Sequence, residues 1–467
     1  MPDLISLLSN ASQSLSAAQG AVATASHNIQ NVNTPGYSRQ RAVIEASVPE
    51  ATVNGSYIGR GSRLIGITQA RDRFLEAQVH YTFAAESKSS ALMSALDNVH
   101  IFDSTQPGGV GDAISGLFDS IRKLSGNPTN VALRDGAVNS AKALQTAFQR
   151  ESKNIDTARS SLDSQVEASL YEVNNLAQKV ASLNHQIVMT RLSTGSAPND
   201  LMDQRQIAQD RLAELVGATP VPDSQGRVTL TLPQGGAIVA GERAGRLETF
   251  PKVSDRGHLG IRLVDQDGAV LDVDNTAISG NVGGYLVARD EALKGTAVRL
   301  DNLAFKLAQS FNTVHTAGRD LNDLNGQNLF EVGATEDGAA TRFAVNGLIA
   351  ADPRLLATRG VNSGMGDNQG ALQLLDLERA AVTGSDSPVN AYARLTAEFG
   401  ASTSAARAAY AHDRTMKEHL MKRRDEYSGV SVDEELIEMT KAQRAYEAIG
   451  KVIQTGDQML KTLLDIK

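Results

Sequence analysis

The chain of 467 residues has no cysteine and no tryptophan, and aromatic residues make up only 4% of it. The absence of cysteine excludes disulfide bonds, thiolate metal ligands and cysteine nucleophiles. It leaves the compartment open, because secreted and cytosolic proteins both occur without disulfides. With so few aromatic side chains, the cores are expected to consist of Ala, Leu, Val and Ile. The length predicts roughly two to four domains.

Positive charge is also in short supply, since the formal net charge is -8. An acidic chain lacks the basic surface of a nucleic-acid-binding protein. Residues 4–38 contain no Asp, Glu, Lys or Arg, yet Ser, Asn and Gln interrupt every apolar run. We therefore expect no membrane span. The first residues lack a basic region and a cleavage site, which predicts that no signal peptide is removed.

Catalytic motifs are missing from the sequence as well. There is no nucleophilic-serine motif, no phosphate-binding loop and no zinc-protease helix. The segment 320–326 resembles a calcium loop, but Leu321 and Val332 would occupy positions that need oxygen ligands. A turn-forming loop is the better interpretation. The sequence thus predicts a protein that is not an enzyme, with no catalytic residue, cofactor or metal site.

Both ends of the chain carry seven-residue hydrophobic repeats, which are typical of coiled coils. The N-terminal repeat includes Leu4, Leu8, Leu15, Val22, Ile29 and Val32. The C-terminal end has two neighbouring stripes, formed by Ile449, Val452 and Leu463 and by Leu436, Met439, Tyr446, Ile453, Leu460 and Leu464. The N-terminal helix is expected to stop near Val32, because a turn with Asn33, Pro35, Gly36 and Tyr37 follows. The C-terminal helix is expected to begin at Ser431, where acidic residues favour a helix start.

The remaining sequence predicts a mainly α fold with a small β insertion. Terminal coiled-coil helices (1–35 with 428–467) flank a long-helix bundle body with extended or hairpin elements (36–217 with 285–427). Residues 218–284 are rich in Gly, Pro, Val and Thr and predict an inserted, outward β domain. The longest helical pattern begins near Asn130 and continues with heptad spacing from Ile155 to Ile187.

Two segments resemble a known family. The first reads His27-Asn-Ile-Gln-Asn-Val-Asn-Thr-Pro-Gly-Tyr-Ser-Arg-Gln-Arg41, and the second comprises residues 428–466 with Gln443-Arg-Ala-Tyr446. Both resemble the terminal signatures of bacterial flagellar rod, hook and hook-associated proteins, and Ser38-Arg39-Gln40 is most similar to hook-associated members. The likeness is strong over roughly the first 45 and last 40 residues and is architectural between them.

The resemblance implies a structural subunit of the bacterial flagellum that joins hook to filament and is needed for filament assembly and motility. It implies an extracellular protein, secreted through the flagellar type III export apparatus, in a ring of about eleven copies. The implied partners are the hook protein, a second hook-associated junction protein and an export chaperone. Another axial protein of the hook or distal rod, or an exported adhesin with flagellar termini, is the alternative.

The hydrophobic repeats and the turn at 33–37 are the expected subunit interface. Alanine fills three of the nine positions of the N-terminal repeat, and a buried alanine stabilises a helix pair much less than a buried leucine. We therefore expect both terminal helices to be largely disordered in the monomer and to become ordered when they pack against neighbouring subunits. Strong amide protection across residues 4–32 of the monomer would contradict this expectation.

Overall fold

The computed structural model describes residues 4–51, 57–99, 108–255 and 257–465. Helices account for 65% of the chain, which confirms the predicted mainly α fold with a small β insertion. The helices are α1 Leu4–Gln30, α2 Arg73–Asp97, α3 Val110–Gly126, α4 Val131–Thr194, α5 Asn199–Val216, α6 Gly280–Val287, α7 Lys294–Ala317, α8 Ala339–Arg342, α9 Gly347–Ala351, α10 Gln369–Asp376, α11 Pro388–Ser428 and α12 Val432–Asp465. A π-helical segment, Ala288–Leu293, joins α6 to α7 without a break.

Within the described residues, the strands form five small antiparallel sheets. They are β1 Gln40–Ala46, β2 Glu50–Ala51, β3 Tyr57–Ile58, β4 Ser62–Gln69, β5 Thr219–Pro222, β6 Val228–Thr231, β7 Ala237–Ala240, β8 Arg243–Ala244, β9 Arg246–Pro251, β10 Leu259–Val264, β11 Val270–Val273, β12 Phe330–Glu331 and β13 Ala344–Val345. The neighbours are β1-β4, β2-β3, β12-β13, β5-β6-β7-β8 and β9-β10-β11. The hairpin expected after Tyr37 is therefore β1 with β4, in which Gln40 is opposite Gln69.

The long helix α4 follows from local sequence signals. Asn130 caps its start by accepting hydrogen bonds from the backbone of Ala132 and Leu133, and Gly195 ends it with a φ of 69°. At about 1.5 Å per residue the helix is about 96 Å long. Its first half shares a core with α3, α7, α10 and α11, and its second half shares another with α5, α6 and the larger sheets. One helix therefore supports both the bundle and the β insertion.

The β insertion contains more strands than its sequence pattern indicates. The four predicted strands correspond to β6, β7, β10 and β11, whereas β5, β8 and β9 are additional. The sequence pattern does not predict β5, because Pro220 and Pro222 are unfavourable in a strand unless it lies at a sheet edge. In the structure β5 lies at the edge of its sheet. The inner faces of these sheets pack on α4, with Leu230, Val239 and Ile261 fully buried. The division of the chain into three domains remains a prediction.

The two terminal helices lie side by side and run antiparallel. Leu8 of α1 approaches Gly456 of α12. Asn28, further toward the C-terminal end of α1, contacts Glu435 in the first turn of α12. The β1–β4 hairpin covers another face of α1, where the Ser62 backbone N–H donates to Ser14 Oγ over 3.0 Å. Within the described ranges, no helix has the length and apolar character of a membrane span.

Candidate functional site

The terminal helix pair meets the body at a cluster of buried and half-buried polar side chains, here called the polar junction. Its members come from α1, α5, α12, the β1–β4 hairpin and the residues that flank this hairpin. They are Asn28, Arg39, Gln40, Arg71, Asn199, Asp203 and Glu435. The signature at residues 27–41 supplies the first three of them, so the residues that carry the family resemblance are also those that position the terminal helices.

Asn28 is the centre of the polar junction and is 1% exposed. Its amide nitrogen donates to the Gln40 carbonyl over 2.8 Å and to Glu435 Oε2 over 2.9 Å. Its oxygen accepts from the Gln40 backbone N–H over 3.0 Å and from the Tyr37 hydroxyl over 2.8 Å. All the hydrogen-bonding capacity of the amide is therefore used. One side chain fixes α1 to the start of β1 and to the first turn of α12.

Arg39 forms the ionic part of the polar junction. Its Nε donates to Glu435 Oε1 over 2.6 Å, and its Nη1 donates to Glu434 Oε2 over 2.7 Å. Burial of the guanidinium opposes its charge, but the two carboxylates outweigh burial and raise the Arg39 pKa. The Glu435 side chain is 3% exposed whereas Glu434 is 61% exposed. The buried pair therefore carries the structural role, and the Arg39 backbone N–H adds a 2.9 Å bond to the Ser428 carbonyl.

Gln40 and Arg71 connect this cluster to α5. The Gln40 side chain accepts from Asn199 Nδ2 over 3.1 Å, and Arg71 Nη2 donates to Asp203 Oδ1 over 2.6 Å. Burial raises the pKa of Asp203, although the charge of Arg71 and hydrogen bonds from Ser38 and Arg71 oppose that rise. The hairpin is thus held between the terminal helices on one side and the body on the other.

Tyr37 closes the signature turn over the polar junction. The Tyr37 hydroxyl donates its one hydrogen to Asn28 Oδ1, so its oxygen accepts a hydrogen bond from His27 Nδ1–H over 2.9 Å. The two rings meet edge to face with centroids 5.5 Å apart. Burial, followed by the charges of Asp200, Asp203 and Glu435, raises the pKa of Tyr37, so the hydroxyl remains a donor at neutral pH. Gly36 adopts a φ of 76°, which explains a glycine at this turn.

The predicted interface residues fall into three groups in the structure. The half-buried ones are Leu4, Leu8, Leu15, Val22, Ile29, Tyr37, Met439, Ile449, Ile453 and Leu460. The exposed ones are Val32, Asn33, Pro35, Gly36, Leu436, Tyr446 and Val452. The side chains of Leu463 and Leu464 lie outside the described residues. Their role in contacts between subunits stays a prediction.

The surface of α12 beside α1 retains apolar groups. Met439, Ala442, Ile449, Ile453 and Leu460 are half-buried, and their spacing of three, four or seven residues places them on one face, here called the seam. Beside this seam, Val452 and Met459 are about half exposed and repeat after seven residues. The two C-terminal stripes of the sequence do not form two separate faces toward α1, because members of both stripes contribute to one seam.

The sequence patterns did not identify most residues of the polar junction. Asn28 has no charge or unusual spacing to mark it, and its partners are distant in sequence. Glu435 has the signal of a first-turn acid, which favours helix formation without any tertiary contact. Its actual partner, Arg39, lies 396 residues away. The family signature was the sole sequence signal for Arg39 and Gln40.

The calcium-like loop at 320–326 is held by its own contacts. Asp320 accepts hydrogen bonds from the backbone of Asn322 and Leu324, and Asp323 pairs with Arg359. Backbone hydrogen bonds of this kind are typical of a turn-forming loop. The contacts of the polar junction link α1, the β1–β4 hairpin, α5 and α12.

Comparisons with known proteins support one family. The model of the flagellar hook-associated protein FlgK helical domain matches residues 93–330, and the C-terminal model of flagellar basal body rod FlgEFG proteins matches residues 422–466. The chain is 26% identical to flagellar hook-associated protein 1 of Escherichia coli, with 99% of this chain and 100% of the relative covered. For the Bacillus subtilis protein of the same name, identity is 25% and the coverages are 98% and 97%.

A solved structure agrees with the fold. It is the flagellar hook junction protein FlgK from Burkholderia pseudomallei, which is 15% identical and superposes with a TM-score of 0.69. The likeness covers 76% of this chain and all of the solved chain. The helical-domain match spans just over half of the sequence, which shows that the chain belongs to the family of the flagellar hook-associated protein FlgK.

Proposed function

We propose that this protein is a structural subunit that joins the flagellar hook to the filament and is required for filament assembly and motility. The observation that carries the proposal is the polar junction, which ties both chain ends to each other and to the body. Such a subunit transmits force from one end of the polymer to the other through fixed angles between its parts. Family membership favours this role over a hook, rod or adhesin role.

The proposed mechanism is geometric and involves no bond chemistry. Antiparallel α1 and α12 form an inner layer, the bundle around α4 forms the wall, and residues 218–284 face outward. Val452 and Met459 remain about half exposed on α12, which suits a second copy of the same helix pair as their cover. Assembly into a closed ring then buries Val452 and Met459 in every subunit.

The partners and the export route belong to the same proposal. About eleven copies would form the ring, the hook protein would lie on one side, and a second hook-associated protein on the other. An export chaperone would hold the terminal repeats before secretion through the flagellar export apparatus, without a cleaved signal peptide. The protein is a component of the extracellular flagellum, and we propose that it has no catalytic activity.

Deletion of the gene tests the function directly. We expect hooks without filaments, unpolymerised flagellin in the medium, and loss of swimming that the intact chain restores. Normal filaments in the deletion strain would refute the proposed role. A chain lacking residues 218–284 should still restore filaments, because α1, α12 and the polar junction lie outside that segment. If this shortened chain restored filaments but abolished surface adhesion, the insertion would have a separate role.

Contacts between copies can be tested with single cysteines, since the natural chain has none. Val452→Cys on the exposed stripe should form disulfide-linked oligomers in intact flagella after mild oxidation. Ser224→Cys, at an exposed turn of the β insertion, is the matched control and should stay monomeric. Equal cross-linking at both positions would contradict the assignment of α12 to the inner layer.

A further inference from the structure

Three potential metal-binding side chains converge between α2 and α5, outside the polar junction. Glu76 and His80 are four residues apart on α2 and so lie on one face of that helix, while Asp210 comes from α5. One ligand atom of each lies within 4.8 Å of the other two. His80 is 2% exposed. The arrangement places one imidazole nitrogen and two carboxylate oxygens around a common point.

The hydrogen-bond donors at this point do not match the acceptors in number. The Gln206 amide nitrogen lies 2.8 Å from Asp210 Oδ1, 3.4 Å from Glu76 Oε2 and 2.7 Å from His80 Nε2. An amide NH₂ group has two hydrogens and cannot serve three acceptors. His80 Nε2 also lies 2.9 Å from Asp210 Oδ1, whereas His80 Nδ1 has no partner among the described residues.

Neither neutral form of His80 removes the conflict. With the proton on Nε2, the ring and the Gln206 NH₂ group are two donors in contact. With the proton on Nδ1, Nε2 and Asp210 Oδ1 are two acceptors in contact, and a buried N–H is left unpaired. Turning the amide of Gln206 over would set its NH₂ against Arg71, whose Nη1 donates to Gln206 Oε1 over 2.9 Å. With the proton on Nδ1, the three ligand atoms all offer lone pairs within 4.8 Å of one another, and a cation there would replace the contact between two acceptors with ligand bonds.

We propose that Glu76, His80 and Asp210 form a binding site for a divalent transition-metal ion, with Zn²⁺ as the best match. Imidazole nitrogen with carboxylate oxygen is a common Zn²⁺ ligand set, whereas Mg²⁺ and Ca²⁺ prefer oxygen ligands alone. The Gln206 amide nitrogen contacts all three ligand atoms in the structure, so the ion would take its place. Sequence spacing alone does not indicate this site, because two of its ligands lie on α2 and the third lies 130 residues further along the chain.

The surroundings set how the ion would act. Arg424 of α11 donates to Asp210 Oδ2 over 3.2 Å, which leaves Oδ1 for the ion. Arg71 and Arg424 also weaken cation binding by repulsion. A bound ion would join α2 to α5 directly, and to α11 through Arg424, next to the polar junction.

Zinc binding to the untagged, full-length chain tests the proposal. After removal of metals with a chelator, titration calorimetry with zinc chloride should show one saturable site per chain. Saturating zinc should raise the unfolding temperature by a few degrees, because it binds the folded state alone. Magnesium chloride at the same concentration should have no effect. A folded chain that binds no zinc would overturn the proposal.

Variants locate the site. Glu76→Gln and His80→Gln should each lower the zinc affinity at least tenfold and abolish the shift in unfolding temperature. Glu76 lies at the partly exposed edge of the cluster, so its variant is expected to fold even if the change at His80 disturbs packing. His185→Gln is the matched control, because His185 forms an exposed pair with Glu242 and should leave zinc binding unchanged. Loss of binding in that control, or retention in Glu76→Gln, would contradict the assignment.

Discussion

Replacement of Asn28 by alanine should weaken the docking of the C-terminal end of α1 on the rest of the protein. The variant loses four hydrogen bonds, those to Glu435, to the Tyr37 hydroxyl and to both backbone groups of Gln40. A typical hydrogen bond contributes about 1 kcal/mol net, and a buried group left unpaired costs about 1–3 kcal/mol. Water can enter the vacated space and compensate in part. We therefore expect a loss of roughly 2–4 kcal/mol in the docking of α1.

Amide hydrogen exchange measures this loss where it occurs. Because each 1.4 kcal/mol corresponds to a factor of about ten, exchange at the α1 backbone near residue 28 should accelerate roughly 30- to 700-fold. Exchange in the core of α4 should stay unchanged, since α4 does not contact Asn28. In cells, the same variant should reduce the number of filaments when it replaces the intact chain.

Asn33→Ala provides the matched control. It removes the same atoms from an exposed position in the neighbouring turn, where substitutions usually change stability by less than about 0.5 kcal/mol. If Asn28→Ala and Asn33→Ala gave the same exchange rates and the same filament counts, the assignment of the polar junction would be wrong. A larger effect at Asn33 would instead support the turn itself as the contact between subunits.

Three further predictions concern other contacts. In urea denaturation, Glu435→Gln should lower the free energy of unfolding by about 1–3 kcal/mol, because it weakens the ion pair with Arg39. Glu434→Gln, at an exposed position, should lower it by less than about 0.5 kcal/mol. Gly456→Leu should accelerate exchange along α1, since a Cβ at Gly456 would already lie 3.0 Å from Leu8 Cδ2; Gly450→Leu should not, because a Cβ there meets no heavy atom of the described residues within 4 Å. Burial raises the pKa of Glu151 to about 7 from 4.5, so the folded state binds the extra proton and the contribution of Glu151 to stability falls as the pH rises from 4.5 to 7. At pH 8, Glu151→Gln should therefore raise the free energy of unfolding, measured by urea denaturation, by about 2–4 kcal/mol, and at pH 4 it should have no such effect. An equal gain at both pH values would show that the charge of Glu151 is not responsible.

The prediction that the terminal helices are disordered in the monomer can now be stated by region. The N-terminal half of α1 has few buried residues before Ala17, whereas Thr24, Ala25 and Asn28 are buried near its C-terminal end. We expect exchange in the monomer to be fast over residues 4–16 and slower toward residue 30. Uniformly slow exchange along α1 would show that the pairing with α12 alone keeps the helix ordered.

Much of the fold could be predicted because its signals are local. Asn130 and Gly195 mark the ends of α4, and the buried side chains from Ile155 to Ile187 follow its heptad spacing. The β1–β4 hairpin likewise follows from a change in hydrophobic period after Tyr37. The edge strand β5 was missed because its two prolines are unfavourable in a strand, and only the open edge of a finished sheet accepts them.

The sequence by itself determined the helices, their apolar repeats and the signature shared with flagellar axial proteins, because each depends on residues within a few turns of one another. Tertiary structure alone decided that Asn28 and Arg39 meet Glu435 and that Glu76 and His80 meet Asp210. Those contacts join residues more than a hundred positions apart. A buried polar group gains its partner only when packing has removed water from both, so its role cannot be recognised before the helices are assembled.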